Sequence, residues 1–176
     1  MRLKDFDQEY DLTNLVHKPL HFGLFANVII PAGLLFACFW YDQNYHPTSR
    51  ISGSGQTLFY VFAAISLLQA AGALWWREKK FREPMVRREE TFEVDLAHRV
   101  LHYSKPIFLL IASISIWGYI FFFLTAQIEG AIILVAGSFL VFQIVRPRYG
   151  SMNRLVAYQE RLVKEGKFRK GAGLLE

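Results

Sequence analysis

Long stretches without acidic or basic side chains alternate with short charged segments along the chain. Four such runs contain 23, 26, 23 and 16 residues. A helix rises about 1.5 Å per residue, so roughly 20 residues cross the hydrocarbon of a bilayer. The pattern predicts an all-α integral membrane protein with four transmembrane helices. The predicted spans cover about residues 20–41, 56–76, 106–124 and 130–145.

An eight-residue block occurs twice, each time directly before a long apolar run. Residues 15–22 read LVHKPLHF and residues 96–103 read LAHRVLHY, with four identical positions. This repeat predicts two tandem, duplicated transmembrane hairpins. Because each hairpin crosses the membrane twice, both halves have the same orientation, and we expect a parallel repeat.

Three polar segments carry apolar residues at helical spacing: 1–19, 92–103 and 151–165. They predict short amphipathic helices lying on the membrane surface. Two prolines mark expected irregularities. Pro106 suits the first turn of the third span, and Pro31 inside the first span predicts a kink near Asn27.

These elements divide the chain into four parts. The first is a repeat that contains an interfacial helix and a transmembrane hairpin. A charged cytoplasmic linker with an amphipathic helix follows, then the second transmembrane hairpin, then a basic cytoplasmic C-terminal helix and tail. In order, the parts cover residues 1–76, 77–105, 106–146 and 147–176.

The basic residues lie mainly on one side of the predicted topology. Of the 20 Lys and Arg, three precede the first span, eight lie in 77–105 and eight in 146–170, while the outer loops hold only Arg50. By the positive-inside rule, both termini and the linker are cytoplasmic, or matrix-side in an organelle. We expect a bacterial inner membrane rather than an organelle membrane. The formal charge of +5 follows from this topology and does not indicate a nucleic-acid partner.

Each repeated block holds two histidines four residues apart, which places them on one face of a helix. The pairs are His17 with His21 and His98 with His102. Two facing pairs could hold a transition metal. Alternatively, His21 and His102 could be the axial ligands of a haem b. In a third interpretation, all four are interfacial side chains that bond to lipid headgroups or neighbouring carboxylates.

The predicted spans contain no Asp, Glu, Lys or Arg at membrane depth, which argues against ion-coupled transport. Their amides, Asn27, Gln69 and Gln143, are expected to form hydrogen bonds between helices. The single cysteine, Cys38, excludes an intramolecular disulfide.

Aromatic and basic residues at the ends of the spans predict anchors at the headgroup level. These anchors are Trp75, Trp76, Arg77 and Arg146.

No paired-carboxylate, nucleophile-with-base or phosphate-loop motif is visible, so we do not expect an enzyme. The leading hypothesis is a non-catalytic accessory or scaffold subunit of a larger membrane complex, such as a bioenergetic one. Its partners would be the lipid bilayer and other membrane subunits, or further copies of itself. The alternatives are a haem b-binding redox membrane anchor and a homo-oligomeric channel or membrane-shaping hairpin protein.

Overall fold

The structure, a computed structural model, describes residues 12–51 and 54–169, and the described residues contain helices and no strand. The first part of the predicted N-terminal amphipathic helix and the end of the C-terminal tail lie outside these residues. The helices are α1 (Leu12–Leu24), a π-helical segment (Phe25–Ile29), α2 (Ile30–Tyr45), α3 (Gly55–Arg82), α4 (Phe92–Thr125), α5 (Ile128–Val145) and α6 (Tyr149–Lys164), with a 3₁₀ turn (Glu89–Thr91) before α4.

Four helical segments are long and apolar enough to cross a membrane, which confirms the predicted number of transmembrane helices. They contain 34, 28, 37 and 18 residues. The segments are Leu12–Tyr45, Gly55–Arg82, Glu89–Thr125 and Ile128–Val145.

Two of these segments are longer than expected because their entry helices are continuous with the spans. Pro106 lies inside α4 and does not begin a new helix, and Pro19 likewise lies inside α1. A proline removes one backbone hydrogen bond, which neighbouring helices and local adjustments can compensate for in a membrane bundle. The sequence therefore misplaced these boundaries.

The irregularity expected near Asn27 is the π-helical segment Phe25–Ile29, which ends two residues before Pro31. Pro31 has no N–H to donate to the preceding turn, and a single widened turn is a common way to absorb such a missing bond.

Helix α4 lies at the centre of the bundle and packs against α1, α2, α3 and α5. The two hairpins differ in how they are packed. In the second hairpin, α4 and α5 form the most extensive contact of the molecule, whereas α2 and α3 of the first hairpin make almost no contact with each other. Helices α2 and α3 each lie against α4 and α5 instead. The second hairpin is therefore closed and the first is open.

Apolar residues of α1, of the linker after α3, of the start of α4 and of α6 pack against one another in one cluster. We call this cluster the α6-side core. It contains Leu15, Val16, Met85, Val86, Phe92, Leu96, Val100, Met152, Leu155, Val156 and Val163. These side chains are buried against one another within the described part of the chain.

Candidate functional site

The four histidines lie near the α6 side of the bundle, and all four side chains are exposed. His17 and His21 are neighbours on α1, with ring centroids 5.9 Å apart. His98 and His102 are neighbours on α4, with centroids 6.4 Å apart. Each pair therefore shares one helix face, as the spacing requires.

The structure does not assemble the two pairs into one site. Among the described residues, no three His, Cys, Asp or Glu side chains are grouped closely enough to hold a metal ion. His17 is instead hydrogen-bonded through Nε2 to the Tyr149 hydroxyl at 2.9 Å. The His21 and His102 side chains are both exposed. Sequence reasoning missed Tyr149, since it lies 132 positions from its partner.

Asn27 is the most deeply buried of the predicted amides, with 1% of its surface exposed. It lies in the π-helical segment, which packs against α4 and α5. Its Nδ2 donates a hydrogen bond to the Gly23 carbonyl at 3.1 Å. Its Oδ1 is also buried and has no hydrogen-bond partner among the described residues. Asn27 therefore stabilises its own widened turn.

Close packing surrounds this turn. A Cβ placed on Gly23 would lie 2.6 Å from a ring carbon of Phe142, so only glycine fits there. Nearby, the Ser138 hydroxyl on α5 donates to the Ile111 carbonyl on α4 at 2.9 Å. The polar groups in this part of the bundle bond to backbone and serve packing.

Gln69 and Gln143 occupy different environments, although their sequence contexts are similar. The Gln69 Oε1 on α3 accepts a hydrogen bond from the Trp117 indole nitrogen on α4 at 3.0 Å. Gln143 on α5 is partly buried, and the structure shows no hydrogen bond from its side chain within the described residues. Asn27 and Gln69 therefore bond within different elements, the first within its own helical turn and the second between α3 and α4.

The four anchor residues lie at the ends of α3 and α5. Trp75 is 66% exposed and Trp76 is 37% exposed. Arg77 is partly buried, with its guanidinium 5.4 Å from the Phe81 ring centroid. Arg146 follows the last residue of α5, and its buried Nε has no hydrogen-bond partner within the described part of the chain.

Gln159 is a buried polar residue that sequence reasoning did not single out. It is 1% exposed in the middle of the apolar face of α6. Its Oε1 accepts from the Met85 N–H at 3.0 Å, and its Nε2 donates to the carbonyls of Phe81 and Glu83 at 3.3 and 3.1 Å. Gln159 thus fastens α6 to the linker between α3 and α4. The sequence does contain a signal for this residue, because Gln159 is polar at a position where the helical period of α6 predicts an apolar side chain.

A cavity of about 730 Å³ lies at the opposite end of the bundle, between the beginnings of α3 and α5. Phe59, Tyr60 and Phe121 contribute aromatic rings to it, and Asp42 and Glu129 contribute carboxylates. No ion pair involving either carboxylate occurs among residues 12–51 and 54–169.

No protein-family model, no curated protein and no solved structure matches this chain. Its function must therefore be argued from its own geometry.

Proposed function

We propose that the protein is a non-catalytic accessory or scaffold subunit of a larger membrane complex. The observation that carries this proposal is the open first hairpin. Helices α2 and α3 follow each other in sequence, yet each packs on the second hairpin, and the described residues leave the remaining surface of both helices uncovered.

The burial of the spans supports this proposal. We compare the share of buried residues in an apolar 18-residue window of each span. This share is 28% in the first span and 22% in the second, against 44% in the third. Large apolar side chains of both helices are correspondingly exposed, including Phe36 at 71% and Leu67 at 72%. Exposed small residues, Ala32 and Gly33, accompany them on α2. Helices associate in membranes through van der Waals contact and small residues, so these surfaces suit helices of another subunit.

The chemistry of the interior also supports a role in association. Side chains of Phe, Ile and Val fill the centre of the bundle. The Asn27 Nδ2 and the Ser138 hydroxyl bond to backbone carbonyls, and Gln69 bonds to Trp117. Residues 20–41, 56–76, 106–124 and 130–145 contain no Asp, Glu, Lys or Arg, and ion pathways generally use such groups.

We further propose that the α6 side faces the cytoplasm, in a bacterial inner membrane. The concentration of Lys and Arg in 77–105 and 146–170 supports this orientation through the positive-inside rule. Cysteine labelling from outside intact cells tests it. On a cysteine-free Cys38→Ala background, Ser49→Cys should react with an impermeant maleimide and Asn153→Cys should not. The reverse pattern would overturn the orientation.

Photo-crosslinking in the native membrane tests the subunit proposal. A benzophenone amino acid is introduced at Phe36 on α2 or Leu67 on α3, and the matched control is Leu140, which is 62% exposed on α5. We expect the first two positions to crosslink to the same foreign membrane protein and Leu140 to give lipid adducts only. Native mass spectrometry should then show one assembly of constant stoichiometry that contains this protein.

Two results would overturn the proposal. One is lipid adducts alone from all three positions. The other is a native mass equal to the 20.4 kDa chain or a multiple of it. Deletion of α6 is a poor alternative test, because its apolar face is part of the α6-side core and its loss would disturb the whole fold.

A further inference from the structure

A groove of about 310 Å³ lies on the surface of α3 where its apolar part meets its basic end. We call it the α3 groove. It is lined by Gly72, Trp75, Trp76, Lys79, Lys80 and Leu110. Phe81, directly after this stretch, packs against the α6-side core. The groove therefore lies at the boundary between the spans and the α6 side, at the depth of lipid headgroups.

The deep end of the groove is apolar and unfilled. A Cβ placed on Gly72 would have no atom within 4 Å, so the helix surface is open at this position. Leu110 of α4 forms the opposite wall. From Gly72 to Lys79 the helix rises about 10 Å, which is enough to seat the upper part of an acyl chain.

The shallow end of the groove carries a positive charge that no carboxylate balances. The Lys79 ammonium lies 5.0 Å from the centroid of the Trp75 ring, and within the described residues it forms no ion pair. The neighbouring cations are engaged elsewhere: Lys80 Nζ lies 2.9 Å from Glu83, and Arg82 is paired with Glu78. Arg77 is partly buried, lies against the Phe81 ring and does not line the groove. Lys79 is therefore the cation available to a ligand.

We propose that the α3 groove binds an anionic phospholipid. The acyl chain lies against Gly72 and Leu110, the tryptophans flank the headgroup, and the Lys79 ammonium contacts the phosphate. Tryptophan belongs at this depth because its ring is apolar and its indole N–H is polar. Basic pockets between membrane helices favour anionic headgroups through charge complementarity. This inference is independent of the proposed role as a subunit.

Native mass spectrometry of the full chain in detergent tests the proposal, with palmitoyl-oleoyl phosphatidylglycerol and the matching phosphatidylcholine titrated separately. We expect the wild type to bind phosphatidylglycerol about fivefold more tightly, the preference that one lysine at the membrane surface provides. Lys79→Gln should remove this preference. The matched control is Arg154→Gln, which changes an exposed cation on α6 and should retain it.

A second pair of variants tests the acyl-chain end of the groove. Gly72→Leu should fill the groove and weaken the binding of both lipids. Gly137→Leu on α5, where a Cβ also meets no atom within 4 Å, should leave binding unchanged. Equal headgroup preference in the wild type and Lys79→Gln would overturn the proposal, as would equal losses in the two glycine variants. Lys79 is exposed, so the charge test stands even if Gly72→Leu fails to fold.

Discussion

The two transmembrane hairpins of this chain begin with similar sequences and pack in opposite ways. The second hairpin is closed: its turn consists of Ala126 and Gln127, and Gly118 lies in the contact between its helices. The first hairpin is open: residues 46–54 connect its helices, and Gly33 and Gly72 face open space. Turn length and the glycine contact at Gly118 therefore distinguish the two, since close helix contact in a membrane needs small residues between the helices.

Removal of a phenylalanine ring should give the largest difference in stability between the two hairpins. Phe142 in the closed hairpin is 0% exposed and Phe36 in the open hairpin is 71% exposed. Phe142→Ala leaves a cavity, and we expect a loss of about 3 kcal/mol in the free energy of unfolding. Phe36→Ala should change it by less than about 0.5 kcal/mol. Denaturant titration in detergent micelles measures both, and equal losses would mean that the first hairpin is closed as well.

Loss of the hydrogen bonds between α6 and the linker that follows α3 should lower the stability nearly as much. Gln159→Ala leaves the Met85 N–H and two carbonyls without partners, and we expect a loss of about 2.5 kcal/mol. Asn153→Ala, an exposed position on the same helix, is the control and should be neutral. Hydrogen exchange provides an independent measurement, because the Met85 amide should lose its protection in Gln159→Ala alone. Retained protection would show that the linker is held by other contacts.

Replacement of a glycine by leucine should destabilise the protein where the glycine lies in a helix contact, and should not where it faces open space. A Cβ on Gly118 would lie 3.0 Å from the Ala131 carbonyl oxygen, whereas one on Gly33 would have no atom within 4 Å. Overpacking typically costs about 2 kcal/mol, which we expect for Gly118→Leu. For Gly33→Leu we expect no change in thermal stability. Destabilisation by Gly33→Leu in the isolated protein would indicate that α2 packs against another helix of the chain.

The smallest expected effect is the difference between Gln69 on α3 and Gln143 on α5. Gln69→Leu removes the hydrogen bond from Trp117 and should cost about 0.6 kcal/mol, the average for such bonds in membranes. Gln143→Leu removes no bond seen in the structure and should be neutral. Tryptophan fluorescence should shift in Gln69→Leu only. Identical behaviour of both variants would favour an equivalent role for the two glutamines.

The predicted site illustrates what a sequence pattern can and cannot provide. The spacing of the histidines correctly places each pair on one helix face, because that depends on helical geometry alone. Whether the pairs meet depends on the packing of α1 against α4, and there the four side chains are exposed and ungrouped. Gln159 was missed for the same reason, since its partners lie more than 70 positions away.

The sequence by itself determined the number of spans, because the thickness of a bilayer imposes a length and an apolar composition on any helix that crosses it. It also located the irregular turn before Pro31. Only the tertiary structure decided that α4 is central, that the first hairpin is open and that the amphipathic faces cover one another. Lipid is as apolar as the side chains of a span, so a surface that faces lipid has the same composition as one that faces another helix. Which surface does which is decided by the packing of the helices.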